Sequence, residues 1–472
     1  MQSKSIDNSL KAAVWYTFSN FISKVLLYLC TPFYTRILTR WEYGQYSNFI
    51  SWQSILTALV TLDLSSSVAI AYFEYRDKDK FDSFISSISI GSVIIPMFFS
   101  AVILKFNDTF LNIFNMQWEH FVLLLWVLCF GNTLGIYQAE QRSKIKYKRS
   151  SILTLCASCG SVLLTVILTI LMKDKLMGVL LGNSFINIII NFILLFVILK
   201  RRFNFKWGYV KYSLSIAIPL VPHVLAGTIL GSSDKIMINN MCDSEKAGLY
   251  NLVYTISMII TMFASSINKA WVPWFFEKLS IGDDKSIKEV IRKLFPIMSF
   301  FTLGLCLISP EIVLVLGGRQ YYDSVFLMPP LILHCICNFV STLYINIEFF
   351  EKKTFGISVA TVLSAVINII LNYFCIGIWG FKAAAYTTLF SAIVSLGFHL
   401  YKVKRQKMLY VFDNKFNMIM LVLTIGLCLV IQLTYKNFFL RYSLILLYII
   451  ALTRQIYNNR ERLQNVINKV LK

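Results

Sequence analysis

Nine residues combine a polar or helix-breaking side chain with a position in or beside a long apolar run: Asn20, Lys24, Arg36, Asp63, Pro219, Pro222, His223, Asp234 and Lys269. Ionisable groups at such depth cost several kcal/mol, so each is a functional candidate by default. Lys24 lies about a dozen residues into its run, close to mid-bilayer at ~1.5 Å per helical residue. Asn20 precedes it by one turn on the same face. Together they suit a cationic site for an anionic substrate, with a lysine paired inside the helix bundle as the alternative. Arg36, Arg40 and Lys269 could guide a phosphate or anchor helix ends at the interface. Asp63, His223 and Asp234 are candidates for ion coupling. His223 is otherwise a satisfied core histidine, and Asp234 with Lys235 is otherwise an interfacial cap. Pro219 and Pro222 remove ladder hydrogen bonds and suit a gate or an ordinary membrane kink. Glu311 receives no role, and His334 and His399 read as packing residues.

The elements that must hold these groups follow from composition. The chain has 472 residues, 57% hydrophobic and 15% aromatic, and a mean hydropathy of +0.65. A soluble core cannot hide that much apolar surface, so the class is all-α polytopic membrane protein. Fourteen apolar runs reach spanning length, from 13–35 and 46–72 near the start to 416–435 and 438–456 at the end. The run at 46–72 holds Asp63 and is expected to end early. With the N-terminus inside, inner segments carry 32 Lys and Arg and outer ones 11. That asymmetry predicts both termini on the cytoplasmic side. It also explains the net charge of +21 without nucleic acid, since no basic stripe joins the loops. No loop is long enough for a folded soluble domain.

The ten cysteines lie mostly within spans. Cys156-x-x-Cys159 and Cys335-x-Cys337 lack His or carboxylate neighbours and read as helix-packing residues. No disulfide or metal is expected, and the first run reads as a retained span rather than a signal peptide. There is no Gly-rich phosphate loop and no long outer loop with a paired acid and base. Enzymatic catalysis is therefore not expected.

An internal repeat is visible. Gly44-x-Tyr46 and Gly248-x-Tyr250 open spans two and eight, 204 residues apart, and Gly178 and Gly380 open spans six and twelve, 202 apart. Nearly equal offsets imply two six-span lobes in parallel repeat, 1–205 and 206–405. Residues 406–472 add two C-terminal helices. Such lobes leave a midplane cleft suited to alternating access.

Three motifs resemble one family: Thr31-Pro32-Phe33-Tyr34-Thr35-Arg36 running on to Gly44-Gln45-Tyr46; Ser233-Asp234-Lys235 followed by Gly248-Leu249-Tyr250-Asn251; and Asn368 to Tyr373 followed by Trp379-Gly380-Phe381-Lys382-Ala383. The chain is similar here to polysaccharide-exporting members of the MOP superfamily, the Wzx-type O-antigen or capsule flippases. The resemblance implies two six-helix lobes around a cationic central cavity. The implied substrate is an undecaprenyl-diphosphate-linked glycan, moved across the bacterial plasma membrane without a cofactor and coupled to an H+ or Na+ gradient. Membrane lipids, a polysaccharide polymerase and a chain-length regulator are the implied partners of a monomer. Lys24 falls where the related lipid II flippases carry a cavity arginine, while Cys30 replaces their second basic residue. A small-molecule or cation antiporter of the same superfamily is the alternative, and a membrane polysaccharide polymerase a more distant one.

Overall fold

The computed structural model describes residues 2–75, 77–144 and 146–458, and every extended element among them is helical. Among the described residues, eleven helices are long and apolar enough to cross a membrane. They become twelve if the pair Arg40–Val60 and Leu64–Glu74, bent by 47°, is one span. The runs at 13–35 and 438–456 fall on helices Gln2–Ile37 and Phe438–Asn458, which lie outside that set. The chain is a multi-pass membrane protein with eleven to twelve such spans among the described residues; the expected fourteen stays an expectation.

Contacts divide the chain into two compact units, residues 1–255 with 353–395, and residues 256–352 with 396–472.

In the first unit, the Arg40–Val60 helix begins at a reciprocal cap. Thr39 Oγ1 accepts from the Glu42 backbone N–H, and the Glu42 carboxylate accepts from the Thr39 N–H at 2.7 Å. The helix stops where Leu62 and Asp63 both adopt left-handed backbone, φ 51° and 42°. Neither is glycine, so each conformation costs on the order of 1 kcal/mol. The early end expected for this span is therefore a break inside it. Lys78–Lys105 crosses with a ladder of small buried serines. Ser87 Oγ also accepts from the Lys206 N–H at 3.0 Å and donates to the Asn204 carbonyl at 3.1 Å, tying down the extended linker. Beside it, fully buried Glu140 accepts from Lys144 at 2.7 Å and Arg201 at 2.6 Å, which clamps the basic end of Lys175–Arg201. Helices Tyr147–Leu171 and Lys175–Arg201 pack closely enough that a Cβ at Gly182 would lie 2.3 Å from the Thr165 Cα. Small residues allow such backbone approach where lipid gives helices no hydrophobic reason to associate.

In the second unit, Met328–Phe350 is the most deeply buried helix, packed by Asp284–Leu307 and Asn414–Thr434. Tyr435 donates to the Cys306 carbonyl at 2.7 Å and Thr424 to Ser299 at 2.9 Å. Glu311, left without a role by the sequence, accepts from Arg441 at 2.5 Å. His399 and Glu348 form a buried pair at 2.6 Å, while the second oxygen of Glu348 has no hydrogen-bond partner.

Candidate functional site

The first unit holds a cavity of about 790 Å3. One wall is a single face of Arg40–Val60, carrying Ile50, Gln53, Ser54, Thr57 and Ala58, with Thr61 and Asp63 where that helix breaks. Helical spacing puts Val224, Thr228, Gly231 and Ser232 opposite, on Val221–Met241, and Asn183 completes the lining. Eight of these twelve residues are polar, and Asp63 alone is ionisable. The broken backbone lies where it lines a cavity, the setting in which membrane proteins tolerate irregular chain. Ser65 Oγ donates to an Asp63 carboxylate oxygen at 2.7 Å, holding that side chain at the break.

Beyond the Ile50 end, the same helix meets the start of Ser244–Ser280. A Cβ on Gly44 would fall 1.7 Å from the Ser244 carbonyl oxygen, and one on Gly248 2.5 Å from that of Arg40. Only glycine lets these backbones touch. Around this point Arg40 pairs with Glu245 at 3.3 Å. Gln45 Nε2 donates to Ser244 Oγ at 2.8 Å, and Ser244 Oγ donates to the Asn239 side-chain Oδ1 at 2.8 Å.

Asp234 does not cap its helix. It lies within Val221–Met241 and is 1% exposed. Three donors from three other helices reach its carboxylate. Tyr250 Oη and Thr388 Oγ1 each lie 2.6 Å from one oxygen, and Asn372 Nδ2 lies 2.6 Å from the other. Thr387 donates to the Asn372 carbonyl oxygen. Asn368 Oδ1 accepts from Asn372 at 3.2 Å and from Ser233 at 3.1 Å. The neighbouring Lys235 ammonium sits 5.0 Å above the Tyr254 ring. The carboxylate is thus solvated by hydroxyl and amide dipoles, which suits a group that exchanges a small cation or proton. Sequence reading missed Asn372, Thr387 and Thr388. The signal for Asn372 was its i, i+4 pairing with Asn368 inside an apolar run; Thr387 and Thr388 gave none.

The other candidates are dispersed. Lys24 is exposed on Gln2–Ile37 and is not among the residues lining the cavity. Its neighbour Ser23 accepts from Ser158 at 2.8 Å, so the packed face of this helix is next to Lys24 rather than at it. Lys24 forms no ion pair among the described residues. The side chain of Asn20 lies outside the described residues. Arg36 is exposed near the end of the same helix, and Lys269 is exposed in the second unit. Pro219 and Pro222 are exposed. Pro219 lies in a 3-10 turn, Ile218–Leu220, that interrupts the long span, and Pro222 follows at the start of Val221–Met241. His223 is half-buried, and its Nδ1 has no partner.

Solved structures share the architecture. The inward-closed conformation of the lipid II flippase MurJ superposes with a TM-score of 0.68 at 17% identity, over 95% of this chain and 100% of that one. An inward-facing multidrug resistance MATE transporter of the MOP superfamily gives 0.63 at 13%, over 82% and 96%. In sequence, an Lsg locus protein of Haemophilus influenzae is 27% identical over 182 residues, 36% of this chain and 43% of that one. A membrane protein of that organism is 34% identical over 146 residues, 28% of this chain and 34% of that one. The chain thus spans less than half the length of the curated relatives it matches. The family described as "Polysaccharide biosynthesis protein" matches residues 9–278, more than half of the chain. With its helical architecture in the MOP-superfamily fold, this chain belongs to the polysaccharide biosynthesis protein family.

Proposed function

We propose that the chain is a flippase, a transporter rather than an enzyme. It moves undecaprenyl-diphosphate-linked oligosaccharide repeat units, of an O-antigen or similar surface polysaccharide, across the bacterial plasma membrane by alternating access. The observation that carries this reading is the first unit's arrangement in a chain of this family. A polar cavity between a broken span and Val221–Met241 stops, at one end, at a contact between matching positions of the internal repeat. A bulky headgroup needs such a chamber, and a repeat-symmetric contact is the natural gate of a two-lobed carrier. The reading keeps both termini cytoplasmic and lobes of residues 1–205 and 206–405, followed by 406–472. A polymerase and a chain-length regulator remain its proposed partners.

In this scheme Lys24 meets the diphosphate, whose charge lipid cannot solvate, with Asn20, Arg36 and Lys269 along its route. Asp234 binds the coupling H+ or Na+, Asp63 and His223 respond to it, and Pro219 and Pro222 let the long span flex. The experiment is flipping of a fluorescent polyprenyl-diphosphate glycan in vesicles containing the purified chain. Lys24→Ala should abolish it and Lys24→Arg retain part of it. Full activity in Lys24→Ala would remove Lys24 from the mechanism.

A second reading draws on Asp63, the cavity's sole ionisable lining group. A carboxylate there fits a cation antiporter. That reading gains if Asp63→Asn abolishes efflux of an organic cation while Lys24→Ala leaves it unchanged.

A further inference from the structure

The second unit contains a separate cavity of about 500 Å3, where the start of Asn414–Thr434 meets Asp284–Leu307. Three cations line it. Lys288 and Arg292 lie four residues apart on one face of Asp284–Leu307, and Lys415 is the second residue of Asn414–Thr434. A single carboxylate, Asp413, answers them, and both its oxygens are engaged. Oδ1 accepts from the Phe416 N–H at 3.2 Å, capping the helix, and Oδ2 accepts from Arg292 at 2.5 and 3.2 Å. The Arg292 guanidinium holds the Asp413 carboxyl below its usual range, so the carboxylate is ionised and the cavity keeps two uncompensated positive charges. The wall is rigid. Asn414 accepts from Tyr344 at 2.9 Å and donates to the Leu409 carbonyl at 2.5 Å. The positive end of a 21-residue helix adds to the field.

The helix that opens at this cavity is long and apolar enough to cross a membrane, and its first turn then falls at membrane-surface level. Directly below, the same helix exposes Ile419, Val422 and Leu423, an apolar strip on which hydrocarbon can lie. We infer that this cavity binds the phosphate of an anionic phospholipid, with its chains along that strip. Arg292 already spends its fork on Asp413, so the bidentate clamp suited to a diphosphate is not on offer. Lys288 and Lys415 remain as point charges, which suit one phosphodiester. Basic pockets between spans on the cytoplasmic side recognise anionic headgroups in this way, and the proposed orientation puts this cavity on that side.

The test titrates the full-length chain in detergent with short-chain phosphatidylglycerol and phosphatidylcholine, read by native mass spectrometry. The wild type should prefer phosphatidylglycerol. Lys288→Ala with Lys415→Ala should lower that preference about tenfold or more, and the paired Arg substitutions should preserve it at an unchanged melting temperature. Equal binding of the two lipids, or a preference untouched by the alanines, overturns the inference. A polyprenyl diphosphate that loses affinity in the alanine variant while phosphatidylglycerol does not would also overturn it, and would make the cavity a substrate site.

Discussion

Gly44 and Gly248 hold equivalent places in the two halves of the sequence, and the fold sets them against each other, the Gly248 nitrogen 3.1 Å from where a Gly44 Cβ would stand. Around them Arg40–Glu245 and Gln45–Ser244 close the same contact.

Gly44→Ala should open this contact. Its new methyl meets backbone rather than a movable side chain, and overpacking of that kind costs about 1–3 kcal/mol. Cysteines placed at Gln45 and Ser244 should cross-link readily on the wild-type background and about ten times more slowly with Gly44→Ala. Equal rates would show that the contact is not a gate.

Asp234→Asn keeps the shape of the side chain but removes the charge that Tyr250, Thr388 and Asn372 hold. Transport should fall by two orders of magnitude or more, with normal insertion and little loss of thermal stability. Its dependence on the imposed H+ or Na+ gradient should vanish. A variant that still responds to the gradient would move coupling elsewhere.

His399→Leu should be the damaging half of its pair. It leaves the Glu348 carboxylate, 0% exposed, without its hydrogen bond, and breaking a buried pair costs about 3–5 kcal/mol. Adding Glu348→Leu should recover most of the lost melting temperature, because two apolar groups leave no buried polar group without a partner. A double variant no better than His399→Leu alone would contradict this.

Asp283 lies in the loop before Asp284–Leu307, and hydrogen bonds from Ser286 and then Lys278 lower its pKa to about 2. A depressed carboxyl stabilises the fold above its unfolded value and loses that contribution as pH falls through the folded one. An acid-titration melt should show a loss between about pH 4 and pH 2. Asp283→Asn should flatten that limb by lowering the neutral melt, while the melt near pH 2, where Asp283 is itself protonated, stays close to wild type.

The membrane class and the place of every described span could be read from the chain alone. A helix facing lipid must be apolar for about 20 residues. Gly44 and Gly248 stood out as well, because a backbone contact that close leaves only one residue type. What those glycines touch did not, since their partners lie some two hundred residues away. The same holds for Asp234, whose donors Asn372 and Thr388 come from 138 and 154 residues further on. The break at Leu62 and Asp63 carries no glycine to announce it, so only the bend of the folded chain revealed that this span lines the cavity. Glu348 and His399 drew no functional assignment because each is one polar residue in an apolar run. Packing two helices decided that they share a hydrogen bond, a choice made by tertiary burial rather than by local preference.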